Sequence, residues 1–307
     1  MSFAGFHQQS VAVTIVAGAI AGGTSILFAG LGETVSERAG VINVGTEGAM
    51  LVGALAAFGV TAGTGNPWLG VAAAAIAAAA LAAVHAWLVV YRNASQLATG
   101  LATLFLALGL TALYGVSFVS SNIGGLAKTR IPGIGSIPFV GDVLFNQDPL
   151  TYASYVLVPV VTWFLFRTRW GLLVRTAGER PDALRAYGLS PHRVRFASTV
   201  AGGALAGIGG AQLSIALALT WSEGMTAGRG FIAVALVIFA GWNPVKVLAG
   251  AYLFGAAITL GTVLQVRGIH VNQFLLDALP YLLTIAVLVV LARLRAQAAP
   301  QALGQPL

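Results

Sequence analysis

Long apolar runs alternate with short polar joints along this chain. A helical span needs roughly 20 apolar residues to cross about 30 Å of hydrocarbon. Runs of that kind, or close to it, fall at 11–32, 46–63, 68–90, 96–119, 150–166, 195–217, 229–241, 246–266 and 273–292. They predict an all-α fold, a polytopic transmembrane helix bundle of about nine spans (eight to ten by the short runs), forming a single transmembrane domain over 1–307. Two runs stand out. The segment 150–166 contains Pro159, and 229–241 ends at Trp242-Asn243-Pro244. Backbone breaks in lipid must be buried in protein or line a cavity, so both segments are expected inside the bundle or at a pathway. Met1 to Ser10 holds no Lys or Arg, and the apolar run after it exceeds a signal-peptide core, which reads as a retained first span.

Composition strengthens this picture. Of 307 residues 58% are hydrophobic and 8% charged, against about 25% charged in a soluble domain. The net charge of +7 invites nucleic acid as a partner, but its distribution rejects it: seven of the sixteen Lys and Arg lie between Arg167 and Arg195, the rest at the ends of apolar runs. That is the pattern of basic cytoplasmic loops. With 167–195 cytoplasmic, counting outward puts Arg92, Lys246, Arg293 and Arg295 on the same side, with Arg267 the exception. The loop 120–149 then lies outside, the N-terminus outside and the C-terminus in the cytoplasm. No cysteine is present, and His7, His85, His192 and His270 have no ligand spacing, so no metal site is expected.

Small residues fill the spans: Gly18 and Gly22, Gly203 and Gly207, Gly250 and Gly255, and the alanine-rich stretch Val71 to Ala83. These let helix backbones approach closely in lipid. Ala17-Gly18-Ala19-Ile20-Ala21-Gly22 and Ala201-Gly202-Gly203-Ala204-Leu205-Ala206-Gly207 are alike, each followed by Ser-Glu and another apolar run. The topology gives them opposite directions, as in inverted repeats.

Three segments carry candidate chemistry. The first, Gly32 to Gly48, holds Glu33, Glu37 and Glu47, three of the nine acids, without a long polar loop to place them in water. Glycines at 32, 40, 45 and 48 free the backbone to leave helical geometry, and a broken helix there would expose polar groups beside Asn43 and Glu47. Ionisable residues at membrane depth are presumptive functional sites. The plainer alternative is a cytoplasmic turn in which Arg38 neutralises Glu33 or Glu37. The second segment is the basic loop 167–195. Pro181 and Asp182 suit a helix N-terminus and Gly188 a stop, giving about two turns, too short and polar to span. Ser190-Pro191 opens a second helix. A short rigid helix between two spans is shaped to dock in a partner's groove; the alternative is a solvated loop that only sets topology. The third, Trp221 to Phe231, lies outside before the short run. There Glu223 and Arg229 either pair or line a mouth, with Gln212 and Ser214 in the preceding helix. No phosphate-binding loop, His-Glu-x-x-His or Gly-x-Ser-x-Gly is found; the chain reads as no enzyme, and ATP, if used, belongs to another chain.

Together these segments resemble the permeases of the branched-chain amino acid and ribose ABC importer superfamily, and within it the nucleoside-type permeases. The resemblance is carried by Glu37-Arg38-Ala39-Gly40-Val41-Ile42-Asn43 with Glu47-Gly48, by Arg175 through Gly188, by Gly228 through Ala235, by Trp242-Asn243-Pro244 and by Leu279-Pro280-Tyr281. It implies a second permease subunit, related or identical, two ABC ATPase subunits that use ATP, and an extracytoplasmic substrate-binding lipoprotein at a bacterial inner membrane. It also implies a coupling helix at 181–187, with Gly178, Glu179, Asp182, Ala183, Leu184, Arg185 and Gly188 at the matching positions. A nucleoside needs aromatic faces and hydrogen-bonding groups, for which Asn43, Gln212, Trp221 and Asn243 are the candidates, with Glu47 and Glu223 beside the pathway. A simple sugar, a flavin or a branched-chain amino acid is the alternative cargo. A proton-coupled secondary transporter using Glu33, Glu37, Glu47 or Glu223, or a purely structural membrane scaffold, is the alternative class.

Overall fold

A computed structural model describes residues 11–266, 272–293 and 299–305; Met1 to Ser10, Arg267, His270 and Arg295 lie outside the described residues. The fold is almost wholly helical: α1 (Val11–Arg38), α2 (Thr46–Thr64), α3 (Pro67–Arg92), α4 (Gln96–Gly115), α5 (Val140–Leu144), α6 (Pro149–Arg167), α7 (Arg169–Glu179), α8 (Pro181–Ala186), α9 (Pro191–Ala211), α10 (Arg229–Phe239), α11 (Pro244–Val266) and α12 (Gln273–Arg293). One small ribbon, β1 (Thr129–Arg130) antiparallel to β2 (Asn146–Gln147), interrupts it in the 120–149 segment. Among the described residues seven helices are long and apolar enough to cross a membrane: α1, α2, α3, α4, α6, α9 with its continuation to Ala218, and α11.

Helix α9 sits at the centre, against α1, α2 and α3. It runs antiparallel to α1, since Ser36 meets Thr199, Gly32 meets Gly202 and Ala21 meets Gln212. The two glycine- and alanine-rich segments therefore lie on antiparallel helices. At Gly32 and Gly202 backbone rests on backbone, and a Cβ at either would collide with the other's carbonyl. The alanine-rich face of α3 works the same way, with Ala74, Ala78 and Ala82 buried under Gly203 and Gly207. Close approach of this kind replaces the hydrophobic drive that lipid does not supply.

The structure corrects several expectations. The first helix does not end at 32 but runs to Arg38, so Glu33 and Glu37 are helical and the break is confined to 39–45. Gly32 serves packing, and of the glycines at 32, 40, 45 and 48 only Gly40, at φ +101°, takes a conformation that favours glycine. Helix α6 passes through Pro159 without interruption. It lies at the periphery rather than inside, with Val156, Val160 and Trp163 exposed. The basic loop is also more ordered than a loop: α7 forms because Gly171, Val174, Ala177 and Gly178 recur at helical spacing and bury one face. Helix α10 is buried through Gly230, Ile232, Ala233, Leu236 and Val237, as its short length implies.

Candidate functional site

The break between α1 and α2 folds into the bundle. Gly45 rests on Gly100 and Thr103 of α4, and Gly48 on Leu104 and Ala107, beside the middle of that helix. Backbone away from water must find partners, and here most groups of the break have one. Val41 N donates to Ser36 O, and Ser36 Oγ donates back to Val41 O at 2.8 Å. Ile42 N donates to Gln96 Oε1 at 2.8 Å, and Ile42 O meets His85 Nε2 at 3.2 Å. Asn43 N donates to Glu33 Oε1 at 2.7 Å, and Thr46 Oγ1 to Glu33 Oε2 at 2.9 Å.

Glu33, Glu37, Asn43 and Glu47 are all buried. Arg38 does not neutralise Glu33 or Glu37. Its guanidinium donates to the carbonyls of Gly241 and Trp242 and stacks over Phe166. Glu37 instead accepts from Trp242 Nε1. Glu33 is thus held by N–H and O–H donors through both oxygens and Glu37 through one, its Oε1 having no partner among the described residues.

Glu47 joins the first and third segments. Its Oε1 accepts from Thr226 Oγ1 at 2.6 Å and Gly228 N at 2.9 Å, and its Oε2 from Gly230 N at 2.6 Å. The two N–H groups are among the otherwise unsatisfied donors at the start of α10. A carboxylate there also meets the positive end of the helix dipole. Gly230 lies against the Glu47 backbone, leaving no room for a side chain. So two chain breaks, 39–45 and 219–228, meet at one buried carboxylate.

The remaining pathway candidates are dispersed. Gln212 is buried and its Nε2 donates to Ala21 O at 3.1 Å and Asp148 Oδ2 at 3.4 Å. Ala21 is twelve residues up α1 from Glu33, roughly 18 Å along the axis. Trp221 is buried against Gly115 at the end of α4. Glu223 is exposed. Arg229 bonds Met225 O, and among the described residues the ion pairs are Arg130–Asp142 and Arg185–Asp182, so Glu223 and Arg229 do not pair. Asn243 Oδ1 accepts from Val245 N at the start of α11. Asn43 and Glu47 stand four residues apart around the start of α2, Trp221 and Glu223 lie in the 219–228 stretch whose end bonds Glu47, and Gln212 and Asn243 lie elsewhere. Several buried acceptors have no partner, among them Asn43 Oδ1 and Gln212 Oε1.

The short helix α8 occupies Pro181–Ala186. Leu184 anchors it, while Asp182, Arg185 and Tyr187 face outward, the first two paired at 2.6 Å. Gly188 closes it at φ +73°. Gly178 packs against the backbone of Arg38 and Gly40, which puts the approach to α8 directly under the break.

Sequence reasoning missed three groups. Asp148 is buried and caps α6 through Leu150 N and Thr151 N; the Asp148-Pro149 pair is a helix-start signature that signals this. His85, inside an apolar run, offered only its polarity as a signal. The segment 299–305 docks beneath the break, with Ala302 N donating to Gly178 O at 2.8 Å and Gly304 N to Gly40 O at 3.3 Å. Buried Arg195 clamps it, donating to the carbonyls of Ala177, Ala302 and Gln305.

Comparison with known proteins extends the picture. Residues 14–291 match the family described as branched-chain amino acid transport system / permease component. The putative glucose ABC transporter permease protein TsgC13 of Haloferax volcanii is 39% identical over 302 residues, 91% of this chain and 92% of that protein. The guanosine ABC transporter permease protein NupQ of Bacillus subtilis is 34% identical, covering 86% and 87% of the two chains. The nucleoside ABC transporter permease protein NupC of Lactococcus lactis is 33% identical, covering 89% and 90%. Matched over almost its whole length and built of apolar helices, this multi-pass membrane protein belongs to the branched-chain amino acid transport system permease family of ABC transporter permeases.

Proposed function

We propose that the chain is the membrane-spanning permease subunit of an ABC importer that carries a neutral polar solute, a nucleoside above all, across the bacterial inner membrane by ATP-driven alternating access. The observation that carries the cargo class is the state of the buried polar groups. Glu33 and Glu47 are committed to donors of their own fold through both oxygens and Glu37 through one; among the described residues Glu37 Oε1 and the neutral acceptors Asn43 Oδ1 and Gln212 Oε1 have no partner. A solute rich in N–H and O–H donors suits such groups; a charged one would need a counter-ion. The guanosine and nucleoside permeases among the relatives favour a nucleoside. A sugar is the second reading, favoured by the Haloferax relative.

In this reading α10 and α12 complete nine spans, with the N-terminus outside and α8 on the cytoplasmic side of a single permease domain. Gly178, Glu179, Asp182, Ala183, Leu184, Arg185 and Gly188 form the coupling element on which an ABC ATPase subunit docks. A second permease subunit completes the pathway, and an extracytoplasmic binding lipoprotein delivers the cargo. The chain carries no phosphate-binding loop, so ATP acts in the partner. ATP binding there supplies the differential free energy that shifts the bundle between inward- and outward-open states.

The test is uptake in cells expressing the full transporter. Labelled guanosine and labelled glucose are offered separately, each with the other as unlabelled competitor. ATP-dependent guanosine uptake that glucose leaves unchanged supports the nucleoside reading; the reverse pattern establishes the sugar. Uptake that collapses with the proton gradient and survives ATP depletion would overturn the importer itself.

A further inference from the structure

A second binding surface lies on the flank of the bundle, away from the break. Where α6 meets the start of α11 a cleft of about 410 Å³ opens beside Pro159, walled by Val158, Trp163, Phe166 and Val245. Of its neutral polar wall groups, Thr162 already donates its hydroxyl to Val158 O, which leaves the Trp163 indole N–H as the free one among the described residues. The cleft therefore offers mainly apolar contact, with hydrogen-bond donors only from Trp163 and, at the rim, Arg167.

Its rim is cationic. Arg167 lines the cleft, Lys246 follows Val245, and Arg169 stands two residues beyond Arg167; all three are exposed. None has a hydrogen bond or ion pair among the described residues. Phe166, in the wall, lies beneath two more guanidiniums, Arg38 at 5.6 Å and Arg175 at 5.5 Å from its ring centroid. The acids nearby are Glu179, which accepts from Gln301 N, and buried Glu37, which accepts from Trp242. Five cations thus face two engaged carboxylates. Trp163 and Trp170, 61% and 73% exposed, stand at the same end, in the manner of rings at a membrane interface.

From this we infer an anionic phospholipid site: an acyl chain lies in the cleft past Pro159 and Trp163, and the headgroup phosphate is held by Arg167 and Lys246, with Arg169 behind them. Basic pockets between spans on the cytoplasmic side take acidic headgroups, and charge complementarity with an apolar floor selects a lipid over a free anion. The inference does not depend on the cargo.

The test is native mass spectrometry of the full-length chain released from micelles, titrated with phosphatidylglycerol or with phosphatidylcholine of the same acyl chains. The expected result is preferential retention of phosphatidylglycerol, reduced roughly fivefold by Arg167→Gln and by a further factor of the same order in Arg167→Gln/Lys246→Gln. Both positions are exposed, so the variants keep the fold; an unchanged melting temperature checks this. Equal retention of the two lipids would overturn the site, as would a double variant that holds phosphatidylglycerol like the parent. Displacement by glycerol phosphate would show a soluble-anion site instead. Loss of the lipid from the assembled transporter would show a protein partner on this face.

Discussion

Glu47 is the residue on which the interior turns. Its carboxylate ties the start of α2 to the start of α10 through three short hydrogen bonds. Hydrogen bonds to a charged acceptor are worth about 1.5–3 kcal/mol each. Glu47→Ala removes all three and leaves the α10 donors buried without partners. Uptake is expected to fall at least about tenfold, equivalent to about 1.4 kcal/mol, while the chain still reaches the membrane; Glu47→Gln, which keeps one acceptor, is expected to fall between. Quantifying uptake against membrane-fraction immunoblots checks both. Gly202 is the packing counterpart. Gly202→Leu forces a side chain into the Gly32 carbonyl, and overpacking costs about 1–3 kcal/mol. The expected outcome is a lower melting temperature of the purified chain, with Gly202→Ala milder. At this scale the sequence was only partly legible. Clustered acids at Glu33, Glu37 and Glu47 marked the buried segment, because a charge in an apolar stretch is conspicuous. Their partners were not legible, since Thr226, Gly228 and Gly230 lie about 180 residues away along the chain.

Helix boundaries followed local chemistry where that chemistry was strong. Pro181 and Gly188 bracketed α8, and Ser190-Pro191 opened α9 with Ser190 Oγ accepting from Arg193 N. Pro159 misled, because a proline in a peripheral helix need not break it: the ring lacks a donor, yet the rest of α6 continues on either side. Helix α7 was hidden by its arginines, which dilute the apolar stripe that buries it. The 299–305 segment had no signal, since short polar tails carry no periodicity. Its role is open to test. Removing residues 300–307 deletes the bonds to Gly178 O and Gly40 O and leaves Arg195 with Ala177 O alone. Leaving a buried group unpaired costs about 1–3 kcal/mol or more. The truncated chain is expected to melt earlier and to move less cargo per ATP hydrolysed. A melting curve together with the ratio of uptake to ATPase rate measures this; an unchanged ratio would confine the tail to a structural role.

Across the whole molecule, an exposed short helix, the buried break at 39–45 and the start of α10 are linked by short steps. Gly178, immediately before α8, touches the backbone of Arg38 and Gly40; Gly40 leads into the break; the break leads through Glu47 to α10. Movement imposed on α8 by a partner thus has a packed route to the interior. Membrane residence and family membership were legible from the spacing of apolar runs and from motif order. The meeting of 39–45 with 219–228 was not, because it depends on how α2, α9 and α10 cross. The most direct test of the coupling claim uses Asp182→Arg, a change confined to the outward face of α8, in proteoliposomes reconstituted with the partner ATPase and binding protein. With equal incorporation of both chains, ATP-dependent guanosine uptake is predicted to drop to the level seen without ATP; uptake at the parent rate would contradict the account.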